Sequence, residues 1–136
     1  MPELPEVETL RRELNKVLRH KRIKETEILS PKMVLPLSSE NFRRTIKGKA
    51  IKEVERRAKI LIINCTDPFS MAIHLKLTGQ RIYQPKKGKT VVGGHPAPKD
   101  EINLPNSHTR IIFHFADGSI LYFNDLRRFG WAKIIK

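Results

Sequence analysis

Ile51-Lys52-Glu53-Val54-Glu55-Arg56-Arg57-Ala58-Lys59-Ile60-Leu61-Ile62-Ile63-Asn64-Cys65 is the stretch that decides the fold. Before it, apart from one strand-like run, the hydrophobic spacing is helical. From it onward the period is two, and the segment reads as two strands, 51–57 and 59–65. The same period recurs over 70–75, 79–83, 110–115, 120–123 and 131–135. Asp67-Pro68 and Asp117-Gly118 supply turn chemistry between runs, and Asp117-Gly118 suits a hairpin.

Upstream of this stretch, Val7, Leu10, Leu14, Val17 and Leu18 keep 3.6-residue spacing, so residues 5–20 are expected to form an amphipathic helix. Pro5 is tolerated in a first turn, Glu6 and Glu8 suit the positive end of the helix dipole, and His20-Lys21-Arg22 suit the negative end. Residues 23–29 read as a strand. A loop carrying Pro31 and Pro36 follows. Ser38 or Ser39 then caps a short helix with Phe42 and Ile46 inward and Gly48 as its stop. Residues 84–105 hold Pro85, Gly88, Gly93, Gly94, Pro96, Pro98 and Pro105 among four lysines and read as one long basic loop. The expected architecture is mainly β: a two-sheet antiparallel β-sandwich flanked by one long N-terminal helix and one short helix.

Hydrophobic residues make up 39% and charged residues 30% of the 136, a balance that argues for a globular domain and against disorder. No apolar run reaches the roughly 18–20 residues that span a bilayer. The acidic start lacks the apolar core of a signal peptide. The single Cys65 cannot form an internal disulfide or a zinc site, which fits a reducing, cytoplasmic setting. Lys and Arg number 27 against 14 acids, a formal net charge of +13, so a polyanion is the first partner to consider. With no lipidation signal, nucleic acid ranks above a membrane surface.

Four short motifs narrow this further. The opening Pro2-Glu3-Leu4-Pro5-Glu6-Val7-Glu8 resembles the start of the formamidopyrimidine-DNA glycosylases, which remove oxidised purines. Arg56-Arg57-Ala58-Lys59, His74-Leu75-Lys76-Leu77-Thr78-Gly79 and Asp125-Leu126-Arg127-Arg128-Phe129-Gly130 resemble that family's later landmarks, in the same order. The resemblance implies that residues 1–136 are the family's N-terminal catalytic domain. Its helix–two-turns–helix unit and zinc finger would then lie outside the chain, which itself would carry no cofactor and no metal site.

The resemblance also assigns roles. Pro2 would be the nucleophile. Freed of Met1 its nitrogen is a secondary amine that attacks the sugar and forms an iminium; with Met1 attached it is an unreactive amide. Glu3 would protonate the sugar ring oxygen, with Glu6 in support, and Lys59 would assist elimination. Leu77, Arg127 and Phe129 would fill the gap left by the extruded nucleotide. His108 would contact DNA, although Ser107 and Arg110 depart from the family's flanking residues. Each residue also has a plainer reading: a helix start for Pro2, Glu3 and Glu6, a surface lysine, arginine or polar strand start for Lys59, Arg127 and His108, and core positions for Leu77 and Phe129. The implied partner is damaged double-stranded DNA, met by a monomer in the bacterial cytoplasm at the nucleoid, with no membrane and no protein partner. Two other functions stay in view. One is an endonuclease VIII-like enzyme for oxidised pyrimidines, which Leu4 argues against because that group has glycine there. The other is a non-catalytic DNA-binding domain.

Overall fold

The computed structural model describes residues 4–74, 79–84, 90–92, 95–97, 109–125 and 130–135. Helix α1 (Leu4–Leu18) buries Val7, Leu14 and Leu18 along one stripe. It ends before the expected His20, which adopts φ 70 instead and donates its N–H to the Ile51 carbonyl at 2.8 Å. A left-handed residue is a common helix stop, usually glycine; here a histidine serves. The chain then enters strand β1 (Ile23–Ile28).

The proline-rich segment is more ordered than a plain loop. Pro31–Val34 form a single 3-10 turn that buries Met33 and Val34, and Pro31 fits its first position. Helix α2 (Ser39–Ile46) follows, with Ser38 as its cap: the Asn41 N–H donates to Ser38 Oγ at 3.1 Å. Phe42 and Ile46 are fully buried on its inner face. Gly48 lies one residue beyond the C-cap Lys47 and takes φ 81.

Strands β2 (Ile51–Arg57), β3 (Ile60–Cys65) and β4 (Ser70–His74) form a meander. Strand β5 (Gly79–Gln84) is followed by β6 (Thr90–Val92) and β7 (His95–Ala97), then β8 (Thr109–Phe115), β9 (Ile120–Asp125) and β10 (Trp131–Ile135). The chain builds two antiparallel sheets, one ordered β10-β4-β3-β2 and the other β1-β8-β9-β5-β6-β7. The expected fold class is therefore found. The single loop expected over 84–105 is not: Gln84 belongs to β5, and β6 pairs with β7 through Val92 and His95. The β-branched run Thr90-Val91-Val92 favours extension, and Pro96 sits on the edge strand, where a missing N–H is tolerated.

Both sheets and both helices feed one core. Leu14, Leu18, Phe42 and Ile46 pack with Val54, Ile63, Met71 and Ile73 of the first sheet and Ile111, Phe113, Phe115 and Phe123 of the second. Phe113 and Phe123 meet edge to face with centroids 5.7 Å apart. This shared core fixes the sheets relative to each other, and with them the strand ends discussed next.

Candidate active site

Strand register defines one end of the molecule. In the first sheet Arg57 pairs with Ile60, Ile60 with His74, and His74 with Trp131. In the second, Gly79 pairs with Asp125, and Asn124 with both Gln80 and Thr109. Residues 75–78 join His74 to Gly79, and 126–130 join Asp125 to Trp131, so the two rows belong to the same end. Helix α1 directs its first turns there. Glu8 meets Arg56, Asn15 Oδ1 accepts the Val54 N–H at 2.8 Å about two turns further on, and His20 meets Ile51 at the far end.

The residues singled out by motif relate to this end as follows. Lys59 lies in the two-residue turn between Arg57 and Ile60 and is half-buried. Glu6 is in the opening of α1. Pro2 and Glu3 lie outside the described residues, directly before Leu4, the first residue of α1. Leu77, His108, Arg127 and Phe129 also lie outside them. Their described chain neighbours are His74 and Gly79, Thr109, Asp125 and Gly130, and the paired ones among these stand in the two rows above.

The described residues add a network that motif reading passed over. Glu8 accepts from Arg11 through both oxygens, at 3.0 and 2.8 Å, and from Arg12 Nε at 2.8 Å. Arg56 Nε, 48 residues away on β2, donates to Glu8 Oε1 at 2.8 Å. Arg56 Nη1 also donates to the Ala58 carbonyl at 3.2 Å, and Arg11 Nη1 to the Val54 carbonyl at 3.3 Å. The Arg11 hydrogen bonds, followed by that of Arg56, hold the Glu8 carboxyl well below the usual carboxylate range. Ala58 sits at φ 52, a region that favours glycine, as the first residue of the turn that carries Lys59. Glu8, Arg11, Glu55 and Arg56 line an open cleft of about 330 Å³. Its one strongly engaged carboxylate is held by three guanidinium groups, so it suits fixing parts together rather than shuttling protons. The spacing of Glu8 from Arg11 and Arg12 along α1 was the available sequence signal.

Trp131 stacks on His74 with ring centroids 5.7 Å apart, and the Lys133 ammonium lies 5.2 Å from the indole centroid. Cys65 is buried at the opposite end of β3, and burial pushes its thiol up to about 11. Among the described residues no three His, Cys, Asp or Glu side chains are grouped to hold a metal ion. No described helix is long and apolar enough to cross a membrane.

Comparison with known proteins identifies the family and the fold. The formamidopyrimidine-DNA glycosylase N-terminal domain model matches residues 1–132. The formamidopyrimidine-DNA glycosylase of Pelotomaculum thermopropionicum is 38% identical over 130 residues, covering 96% of this chain and 42% of that protein. That of Ligilactobacillus salivarius is 34% identical over 136 residues, covering 100% of this chain and 44% of that protein. The crystal structure of wild-type Lactococcus lactis Fpg with DNA containing N7-benzyl-Fapy-dG superposes with a TM-score of 0.79 at 34% identity, covering 98% of this chain and 44% of that one. A second Lactococcus lactis Fpg structure, with Fapy-dG-containing DNA, gives 0.79 at 33% identity and the same coverage. The chain thus spans less than half the length of the relatives it matches. Matched from residue 1 to 132 by sequence and over 98% of its length by structure, the chain belongs to the formamidopyrimidine-DNA glycosylase N-terminal domain family.

Proposed function

We propose that the chain is the catalytic N-terminal domain of a base-excision repair enzyme that removes oxidised purines, such as 8-oxoguanine and formamidopyrimidines, from duplex DNA and then cleaves the abasic strand. The observation that carries this reading is the common end: the start of α1, the Lys59 turn and the strand ends flanking Leu77, His108, Arg127 and Phe129 converge there. The Lactococcus lactis structures with Fapy-dG-containing DNA support the substrate class.

In this scheme the Pro2 amine, exposed once Met1 is removed, attacks C1′ of the damaged nucleotide. The C1′–N bond to the base breaks, and the base leaves with that electron pair and takes up the proton that the Pro2 nitrogen gives up. Glu3 gives a proton to the ring oxygen as the sugar opens, and Pro2 and C1′ become an iminium. The iminium acidifies the C2′–H bond; that proton passes to water, the C3′–O bond breaks with the 3′-phosphate taking its electron pair, and water then hydrolyses the iminium to free Pro2. An α-amine has a pKa of about 8, so a useful neutral fraction is present near pH 7. The electron sink is the iminium formed from the chain's own amine, so the scheme asks for no cofactor from this chain. Lys59 assists the elimination near the phosphate, and Glu6 supports the acid. Extruding the nucleotide costs a few kcal/mol. Leu77 and Phe129 offset this as apolar wedges, Arg127 by hydrogen-bonding the orphaned base, and His108 by holding the strand. The partner is damaged double-stranded DNA in a bacterial cytoplasm, bound by a monomer.

The test is borohydride trapping on a duplex carrying an abasic site, after mass spectrometry has established that Met1 is absent. A covalent adduct mapped to Pro2 is expected. Salt-dependent binding without any adduct would leave a DNA-binding domain in its place, and an adduct on another residue would overturn the Pro2 assignment.

A further inference from the structure

Lys59 stands on a turn that its own residues do not favour. Ala58 holds φ 52 without being glycine, asparagine or aspartate, and such a residue persists only where its surroundings over-determine it. The surroundings are specific. The Ala58 carbonyl belongs to the peptide bond that leads into Lys59, and Arg56 Nη1 donates to it at 3.2 Å. The same guanidinium donates through Nε to Glu8 Oε1 at 2.8 Å. Glu8 in turn is fixed on α1 by Arg11 and Arg12, and Arg11 reaches back to the Val54 carbonyl of β2. One carboxylate therefore joins the helix that begins just after Pro2 and Glu3 to the peptide plane that aims Lys59.

We propose that Glu8, acting through Arg56, is a positioning residue that sets Lys59 against the Pro2–Glu3 segment for strand cleavage. This rests on the function proposed above for those three residues. Neither Glu8 nor Arg56 needs to touch DNA for it. A glutamine at position 8 keeps the shape but loses the charge that draws in three guanidinium groups. A lysine at position 56 keeps the charge but has no second nitrogen with which to reach Glu8 and the Ala58 carbonyl together. Misplacement of a reacting group by about 1 Å costs on the order of 100-fold in rate, so a loosened turn should be visible in kinetics.

The experiment compares wild type, Glu8→Gln, Arg56→Lys, the double variant, and Glu13→Gln as a control outside the network. Two quantities are read: cleavage kinetics on an abasic duplex, and amide hydrogen exchange over residues 57–60. The expected result is a fall of about 10- to 100-fold in kcat with KM changed less than about threefold. Exchange at 57–60 should accelerate in both single variants, and the double variant should be no worse than either single one, because both break one chain of contacts. Glu13→Gln should match wild type. Wild-type rates and wild-type exchange in the single variants would overturn the proposal, as would additive losses in the double variant. If wild type itself forms no Pro2 adduct, the function reading fails; the tether then stands on faster exchange in the variants and falls on equal exchange. Circular dichroism of each variant separates a loosened turn from an unfolded chain, and Arg56→Lys carries the test if Glu8→Gln does not fold.

Discussion

The hairpin turns between β2 and β3 and between β8 and β9 solve one problem in opposite ways. The second closes on its own backbone. Gly118 takes φ 92, its N–H and the Phe115 carbonyl close the turn at 3.0 Å, and Phe115 N–H donates to the Ser119 carbonyl at 3.0 Å. Asp117 Oδ1 accepts from the Ser119 amide at 2.9 Å and its hydroxyl at 2.6 Å, and Lys21 pairs with the other oxygen. Glycine is where the backbone needs it, and the turn closes within a few residues, with Lys21, 96 residues away in the chain, as an added partner. The first turn puts an alanine in the left-handed region and relies on Arg56 and, 48 residues upstream of it, Glu8. Only the first carries a residue proposed for chemistry. The strained, long-range solution is found where a side chain must be aimed, and the relaxed, local one where the chain only has to reverse.

The largest effect that would sharpen this contrast is catalytic. Lys59→Ala should lower abasic-strand cleavage about 100-fold, at the low end for a proton-transfer group, with little change in thermal stability. Asp117→Ala, in the opposite turn, should leave cleavage at wild-type level and lower stability by about 1 kcal/mol. Equal losses of cleavage would erase the distinction between the two turns. Next come the backbones. Gly118→Ala should destabilise by about 1–2 kcal/mol, since the left-handed region penalises any Cβ. Ala58→Gly relieves strain of similar size but adds up to about 1 kcal/mol of unfolded-chain entropy, so its net effect should stay within about 1 kcal/mol. Urea unfolding of both variants measures the asymmetry, and an equally large loss at Ala58 would show that this turn is not strained.

The smallest effect is in acid. Burial alone would raise the Asp117 carboxyl, but hydrogen bonds from Lys21 and Ser119 outweigh it and bring it down from 3.8 to about 2. Glu8 is also held below its ordinary 4.5. A depressed folded value means the stabilisation is complete above the ordinary value and is lost as pH falls through the folded one. Asp117 should therefore contribute down to about pH 4 and lose its contribution between about pH 4 and 2, modestly, because its side chain is 49% exposed. Glu8 should persist to lower pH. Acid unfolding of Asp117→Asn should lose part of the slope in that window; an unchanged slope would count against the Lys21 pairing.

Where structure follows from neighbours in the chain, it was legible. Ser38 capping α2, the Asp117-Gly118 hairpin and every strand of the two sheets except β6 and β7 came from local chemistry. What escaped depends on distant partners. His20 ends α1 in a left-handed conformation because the Ile51 carbonyl receives its N–H, and nothing around His20 signals that. Ala58 has no turn signature, so Lys59 read as part of a strand until its turn was seen. Thr90–Val92 and His95–Ala97 were hidden by the prolines and glycines around them. The candidate site divides the same way. Pro2, Glu3, Leu77, His108, Arg127 and Phe129 are readable only through family resemblance, since each type is ordinary at its position. The link from Glu8 to Arg56 joins a helix and a strand that only the fold brings together.

The stacked pair at the end of the first sheet has an optical consequence. Trp131 is the chain's one tryptophan, set against His74 and beside the Lys133 ammonium. It stands in the strand row from which residues 75–78 and 126–130 depart. Its emission therefore comes from one known place, next to the segments proposed to enter DNA and away from the Asp117 turn. The domain carries its own fluorophore at the strand row from which the segments proposed to enter DNA depart, and no label has to be introduced to watch them.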